Sequence, residues 1–200
     1  PIEKAVITVP AYFLPNQCDA TERAAKVAGL KNVKLIPEPE AAALAYGLTR
    51  QGKQIVLVFD LGGGTFDVSV LDVGDDFVEV IATSGDAHLG GDDMDVQVQE
   101  FIIKECMTSW LPVDVSPADM NKVDKRLRSD VGAMLRIRSA AQEAKIALSK
   151  QRTVSIDLPL LLPNFRGSKL DICEVPLLSV ATELSRGKFE MLIKPLLSAL

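Results

Sequence analysis

Residues 55–71 read IVLVFDLGGGTFDVSVL, and the rest of the chain is interpreted around this stretch. An apolar run ends on Asp60, three glycines follow, and an alternating run leads away again. The first half predicts a strand that is buried on both faces. The glycines supply the permissive backbone of a tight turn, and Val68 and Val70 mark one face of the return strand. The sequence therefore predicts a β-hairpin with a glycine-rich turn.

This turn carries the residue types that hold a nucleotide phosphate and its metal ion. Glycines at positions 62–64 let backbone N–H groups point together at an anion. Asp60 lies where the strand stops, Thr65 offers a hydroxyl, and Asp67 adds a second carboxylate, which are donors that suit hydrated Mg²⁺. The alternative is an ordinary glycine-rich hairpin with two solvated carboxylates. The flanking Asp and Thr favour the phosphate site.

Composition excludes several classes of protein. The chain has 200 residues, 48% of them apolar, and no apolar run reaches the roughly 18–20 residues of a membrane span. The net charge of −5 argues against a nucleic-acid surface. Three scattered cysteines without a CxxC motif support neither a disulfide framework nor a zinc site. We expect a reducing compartment, the cytoplasm or an organelle stroma or matrix, and no secretion.

The first fifty residues predict strands that alternate with helices. Glu38 lies at the junction between the second strand and the second helix, where open α/β sheets place their ligands. Its alternative role is that of an ordinary carboxylate favoured by the helix dipole. The expected elements are a strand over 5–9 that stops at Pro10, a helix over 17–28 capped by Asn16 and ended by Gly29, a strand over 33–36, and a helix that opens at 37–40, continues over 41–46 and is closed by Gly47.

A second glycine pair follows the hairpin. A third antiparallel strand is expected over 77–82, so that strands and helices together predict a mixed sheet. Gly90 and Gly91 then precede a helix and place free N–H groups at its positive end, which makes them a second candidate phosphate contact. Acidic residues directly after them explain the same place as a structural cap. His88, the single histidine, has no Ser or Cys partner and is interpreted as a loop residue.

The remainder is predominantly helical. A helix over 92–109 has an apolar face of Val96, Phe101, Ile102, Ile103 and Met107, and Trp110 closes it as a core residue. The other expected elements are a helix that starts at Ser116 and Pro117, a helix over 130–149, strands over 154–158 and 170–174, and a last helix capped by Ser185. A basic run, Lys122, Lys125, Arg126, Arg128, Arg136 and Arg138, is interpreted as a solvated face.

Together these motifs resemble the nucleotide-binding domain of the seventy-kilodalton heat-shock chaperones of the DnaK type. The resemblance rests on residues 6–13 (VITVPAYF), 38–47, 60–67, 85–91 and 144–149, which occur in the same order across the whole chain. It implies an α/β, actin-like or ribonuclease H-like ATPase fold that is present in part, with mixed sheets and flanking helices. Residues 1–50 would end lobe I, residues 51–89 and 186–200 would form the base of lobe II, and residues 90–185 its helical and strand subdomain.

The resemblance also implies roles for individual residues. Catalysis would involve Asp60, Glu38, Asp67 and Thr65, with Asp60 and Glu38 holding the metal through water. Pro10 would be the family's proline switch, and Cys18 would stand in the relay of that switch. Nucleotide contacts would come from Gly62, Gly63, Gly64, Thr65, Gly90, Gly91, Gln142, Lys145 and Ser149.

Several positions depart from the family's pattern. Cys18 stands where the family has an arginine, Gln142 replaces a glutamate that bonds the ribose, and Pro37 replaces an asparagine. The loop at 158–167 is longer and more apolar than is typical. The other phosphate and adenine motifs of the family lie outside these residues, so we expect an internal segment that does not form a complete ATP site by itself.

The expected function is that of an ATP-dependent chaperone that hydrolyses ATP to gate a peptide-binding domain. Its cofactors would be ATP or ADP with Mg²⁺, and K⁺ is a further candidate. Its partners would be unfolded client peptides, J-domain proteins and nucleotide-exchange factors, without nucleic acid or a membrane span. Cys18 and Gln142 motivate one alternative, a scaffold or regulatory subunit that kept the fold without coupling. A small-molecule kinase is a third reading, for which no sugar-binding constellation is evident.

Overall fold

The structure is a computed structural model that describes residues 2, 4–47, 52–75, 77–162 and 178–198. It divides into two units, residues 1–90 and 91–200. In the first unit, β1 (Lys4–Val9) and β2 (Asn32–Pro37) form a parallel pair. Parallel strands need a crossover connection, and α1 (Pro15–Val27) provides it. The strand, helix and strand predicted here are confirmed.

The predicted start of α1 is wrong, whereas its predicted end is confirmed. The predicted N-cap, Asn16, is wrong, because Leu14 is the cap residue and Pro15 occupies the first turn. Proline is pre-organised for that position, and the Gln17 side chain accepts a hydrogen bond of 2.8 Å from the Leu14 N–H. The predicted end at Gly29 is confirmed, since Gly29 has φ of 92° in the left-handed region.

The glycine-rich hairpin forms as predicted and extends into an antiparallel sheet. The sheet has the order β3 (Gln54–Leu61), β4 (Phe66–Val73) and β5 (Val78–Asp86). The prediction of one mixed sheet is wrong for the described residues, because β1 and β2 pair only with each other there. The parallel and antiparallel strands therefore belong to two separate sheets.

Helix α2 (Glu38–Ala45) covers one face of this antiparallel sheet. Ala43 packs there against Leu71 and Val73, with Val56 and Val58 alongside. The prediction that β3 is buried on both faces is wrong. The side chains of Ile55, Leu57 and Phe59 on the opposite face are 64%, 65% and 57% exposed. An antiparallel sheet commonly has only one face covered, and α2 supplies that cover on its own side.

The second unit is a helical layer against a two-stranded sheet. Its core contains the fully buried side chains of Ile102, Ile137 and Leu184, and Trp110 is buried as predicted, with its indole N–H donating to the Ser179 carbonyl at 2.7 Å. The elements are α3 (Gly91–Trp110), α4 (Pro117–Ser129), α5 (Val131–Leu148), β6 (Thr153–Leu162), β7 (Leu178–Ser185) and α6 (Arg186–Leu197), with β6 and β7 antiparallel.

Most boundary predictions in this unit are confirmed. The Ser116 and Ser185 hydroxyls accept hydrogen bonds from backbone N–H groups of α4 and α6, as N-caps do. Val96 was wrongly placed on the packed face of α3, since it is exposed and Val98 is buried instead. The strand predicted over 170–174 lies outside the described residues, and β7 was not predicted. None of the described helices is both long enough and apolar enough to cross a bilayer.

Candidate functional site

Three strands bring Asp60, Asp67 and Gly85 into one row of the antiparallel sheet. Asp60 pairs with Asp67 across β3 and β4, and Asp67 pairs with Gly85 across β4 and β5. A Cβ atom at Gly85 would collide with the Phe66 carbonyl oxygen and would lie 3.1 Å from Asp67 Oδ1. Glycine is therefore required at position 85 for β5 to approach the strand that carries Asp67.

Helix α2 adds a third carboxylate to this row. Glu38 is the first residue of α2 and directly follows β2, as the sequence predicted. Together with Asp60 and Asp67 it lines a small cavity of about 20 Å³, which has room for about one water molecule. The remaining lining residues are Pro10, Ala11, Pro39, Ala42, Val58 and Ser69.

The carboxylates in this cavity repel one another. Burial raises the pKa of Glu38, and the negative charges of Asp60 and Asp67 raise it further. Burial also raises the pKa of Asp67; the charge of Asp60 acts in the same direction, and a hydrogen bond from the Thr65 side chain opposes both. Asp67 Oδ1 is buried and has no hydrogen-bond partner among the described residues. A cation close to these carboxylates would offset their negative charge.

The donor set fits a hydrated ion rather than a directly bound one. Within the described ranges, no three His, Cys, Asp or Glu side chains lie close enough together to hold a metal ion between them. Mg²⁺ loses its water reluctantly and is commonly held through one or two carboxylates and a phosphate. The cavity itself has room for only about one water molecule, so a hydrated ion would lie outside it, held through water by the carboxylates that line it. Metal binding through water by Asp60 and Glu38 stays a prediction.

The glycine turn lies directly beside the carboxylates in the chain. The Gly62 N–H donates to the Thr65 carbonyl at 2.9 Å, which closes the turn. A side chain at Gly90 would collide with the Gly63 carbonyl, so that Gly90 must lack one to lie against the turn. A Cβ at Gly64 would meet no atom within 4 Å. The structure thus brings Gly90 to Gly63 and leaves open space at Gly64.

Of the two predicted switch residues, only one lies at the cavity. Pro10 lines the cavity, whereas Cys18 is half-buried in α1 and is not among the cavity's lining residues.

Tyr12 was not predicted from the sequence to be part of this site. Burial raises its pKa, and the charges of Asp67 and Glu38 raise it further, so Tyr12 lies within their electrostatic reach. Its position two residues after Pro10 was the signal that could have identified it. His88 lies in a turn, where its N–H donates to Asp86 Oδ1 at 2.8 Å.

The other predicted nucleotide contacts belong to the second unit. Gly91 begins α3, Gln142 is exposed on α5, and Ser149 caps the end of α5, where its hydroxyl donates to the Ile146 carbonyl at 2.6 Å. Lys145 Nζ lies 2.9 Å from Asp95 Oδ1 and donates to the Gly91 carbonyl at 2.8 Å. Lys145 therefore connects two helices of this unit.

Comparison with known proteins matches the sequence to one family along the whole chain. The family model described as "Hsp70 protein" matches residues 1–200. A protein named "Chaperone protein DnaK" from Thermus thermophilus is 46% identical over 199 residues, which is 100% of this chain and 29% of the relative. The corresponding proteins of Cyanophora paradoxa and Guillardia theta are 44% and 42% identical over 98% of this chain and 28% of theirs. The chain thus spans less than a third of these relatives.

Proposed function

The chain belongs to the Hsp70 family, with a partial actin-like ATPase fold, and we propose that it is a segment of the nucleotide-binding domain of an ATP-dependent molecular chaperone. The observation that carries this proposal is the meeting of Glu38, Asp60 and Asp67 at one small cavity that adjoins the glycine turn. The repulsion among three carboxylates with an unpartnered buried oxygen would be relieved by a cation nearby, and a nucleotide brings Mg²⁺ with its phosphates.

In this proposal the first unit handles the phosphates. The backbone N–H groups of the turn at 62–64 and the Thr65 hydroxyl bind the β- and γ-phosphates. Asp60 and Glu38 hold Mg²⁺ through water, and Asp67 organises the ions around it. Bound Mg²⁺ supplies neutralisation of phosphate charge. Asp60 also orients the attacking water, because phosphoryl transfer depends on positioning and charge neutralisation rather than on covalent catalysis.

The remaining residues have supporting roles. Gly90 and Gly91 approach the phosphates, whereas Gln142, Lys145 and Ser149 contact the nucleoside. Glu38 couples hydrolysis to movement, and Pro10 acts as the switch that Cys18 relays. This part of the proposal is supported by membership of the family, and for Pro10 also by its place in the lining of the carboxylate cavity.

The activity of the whole protein is a further part of the proposal, since the chain spans 29% of the DnaK relatives from Thermus thermophilus. Hydrolysis would gate a peptide-binding domain formed by residues beyond these 200. Client peptides, J-domain proteins and nucleotide-exchange factors would be the partners, in the cytoplasm or in an organelle stroma or matrix.

The test is single-turnover ATP hydrolysis by the full-length protein. Asp60→Asn should lower the hydrolysis rate by about 100-fold or more, because a preorganised electrostatic contact to the reacting groups is lost, while nucleotide binding persists. Asp75→Asn is the matched control, since Asp75 is an exposed carboxylate in the β4–β5 turn. Unchanged hydrolysis in the Asp60→Asn protein would contradict the role assigned to Asp60.

A further inference from the structure

A buried ion pair lies beside the predicted nucleoside contacts of the second unit. Asp95 of α3 is 5% exposed, and its Oδ1 atom lies 2.9 Å from Nζ of Lys145 on α5. Asp95 Oδ1 has no hydrogen-bond partner among the described residues, so this contact is an ion pair whose angles fall outside hydrogen-bond geometry. The same ammonium donates to the Gly91 carbonyl at 2.8 Å. One cation therefore joins the start of α3 to α5.

The pair lies on the helix face that carries the predicted nucleoside contacts. Residues 138, 142, 145 and 149 are spaced by four, three and four positions, so that they share one face of α5 and its C-cap. Asp95 and Arg138 also line one cleft of about 230 Å³, together with Asp92, Val96 and Gln99. The Asp95 carboxylate therefore borders a solvent-connected cleft on this face of α5.

The energetics of a buried carboxylate make a purely structural role a poor explanation. Burying a charge is unfavourable unless a partner compensates it, and a buried ion pair can often be replaced, both partners together, by apolar side chains of similar volume without loss of stability. The positive end of the α3 dipole lies one turn away and offsets part of the unfavourable free energy of burying the Asp95 carboxylate. What an apolar side chain cannot do is hold the Lys145 ammonium at one position between α3 and α5.

We propose that Asp95 is a positioning residue for nucleotide binding: it fixes the Lys145 ammonium, and through it the Gly91 carbonyl, in the geometry that receives the nucleotide. This inference rests on the proposed function, in which Lys145 contacts the nucleoside and Gly91 approaches the phosphates. Asp95 itself touches neither ligand nor reacting atoms. Its effect therefore concerns affinity rather than the chemical step.

The experiment measures kcat and KM for ATP in the full-length protein. Asp95→Asn should raise KM about tenfold, equivalent to about 1.4 kcal/mol, and leave kcat within about twofold, because the proposed hydrolytic residues lie in the first unit. Lys145→Met should raise KM similarly, and the double variant should show less than the sum of the two effects, because the residues act as one unit. Asp114→Asn is the matched control, because Asp114 is an exposed carboxylate of the second unit that is not among the lining residues of this cleft.

Each outcome bears on the inference. If Asp95→Asn lowers kcat with KM unchanged, or changes neither, the positioning role is overturned. If Asp95→Asn does not fold, the double variant Asp95→Leu/Lys145→Met gives the test, because replacing both partners of a buried ion pair by apolar side chains is often neutral for stability. If Asp95 acts through Lys145, this double variant should raise KM only as much as Lys145→Met does, and a clearly larger rise would overturn the positioning role. Normal ATP binding by the wild-type protein with an unaffected Asp95 variant overturns this inference alone. Absence of ATP binding by the wild-type protein overturns the proposed function.

Discussion

Asp60 and Asp67 face each other across the β3–β4 hairpin, and Asp67 in turn lies opposite Gly85 on β5. Like charges that face each other across a sheet are destabilising. The arrangement is unfavourable while both carboxylates are charged, and a hydrated cation nearby would offset that charge. Glu38 at the start of α2 adds a third negative charge to the same cavity. In the proposed function, Mg²⁺ held through water supplies that positive charge.

The first prediction concerns stability and pH. The pKa of Asp67 is raised above its ordinary value of 3.8, so the folded state holds this proton more tightly than the unfolded state. The resulting stabilisation is present below pH 3.8 and is lost as the pH rises through the raised pKa. At pH 7 the Asp67 charge is therefore unfavourable. Asp67→Asn should raise the free energy of unfolding by about 0.5–1 kcal/mol at pH 7 without Mg²⁺ or nucleotide.

Urea denaturation of the full-length protein at pH 7 and near pH 3.5 checks this prediction. The difference between wild type and Asp67→Asn should shrink at the lower pH, where the wild-type carboxyl is increasingly protonated. Asp75→Asn should show no comparable gain, because Asp75 is exposed and is not among the lining residues of the cavity. An equal loss of stability in Asp67→Asn at both pH values would mean that the negative charge of Asp67 does not destabilise the folded state.

The second prediction separates two glycines by the space around them. Gly85→Ala should lower the free energy of unfolding by about 1–3 kcal/mol, because its methyl group would collide with the Phe66 carbonyl and press on Asp67. Gly64→Ala should leave stability nearly unchanged, since its methyl group would meet nothing within 4 Å. Thermal or urea denaturation of the two variants provides the comparison, and equal destabilisation by both would contradict the described packing.

Nucleotide affinity adds a second measurement on the same glycines. If the turn binds phosphate, Gly64→Ala should weaken Mg-ADP binding although the protein remains stable, because a methyl group would occupy space that the phosphates need. At Gly132, near the start of α5 in the second unit, an added methyl group would have only the Asp130 side chain within 4 Å, at 3.5 Å. Gly132→Ala is therefore the matched control, and it should bind Mg-ADP as the wild type does.

Local signals predicted much of the fold. The alternation of apolar and polar residues and the position of the glycines predicted the hairpin that forms over residues 54–73. The left-handed Gly29 and Gly47 end their helices as expected. The N-cap of α1 was misjudged at Asn16 because Pro15 and Gln17 together favour a start at Leu14.

Tertiary relationships account for what the sequence could not reveal. The apolar run at 55–59 looks the same whether one or both of its faces are covered, and only the position of α2 decides between them. The carboxylates at 38, 60 and 67 could be named in advance, whereas their meeting at one cavity depends on the packing of α2 on the sheet. The pairing of Asp95 with Lys145 joins residues fifty positions apart in the chain. No local pattern marks such a pair.

The third prediction concerns coupling between hydrolysis and peptide binding in the full-length protein. On the proposed function, Cys18→Arg should raise the stimulation of ATP hydrolysis by peptide about fivefold, because it restores the arginine that the resemblance to the family implies for this relay. Basal hydrolysis should remain close to the wild-type value, since Cys18 is not among the lining residues of the carboxylate cavity. The measurement is the ratio of hydrolysis rates with and without a saturating peptide of extended, apolar sequence.

Ala24→Arg is the control for that experiment, because Ala24 is an exposed position on the same helix. It adds the same charge to α1 without restoring the relay position. If both variants change the ratio equally, the effect comes from surface charge. If neither changes it, Cys18 has no part in coupling, and the alternative of a scaffold without coupling gains support.

The most direct test of the central claim is calorimetric titration of the full-length protein with ATP and with ADP, each in the presence of Mg²⁺ and in the presence of a chelator. We predict binding of both nucleotides that is strengthened by Mg²⁺, and a clear loss of that Mg²⁺ effect in Asp67→Asn. Absence of binding, or binding of equal strength with and without Mg²⁺ in both proteins, would contradict the assignment of a nucleotide and cation site to the three carboxylates and the glycine turn.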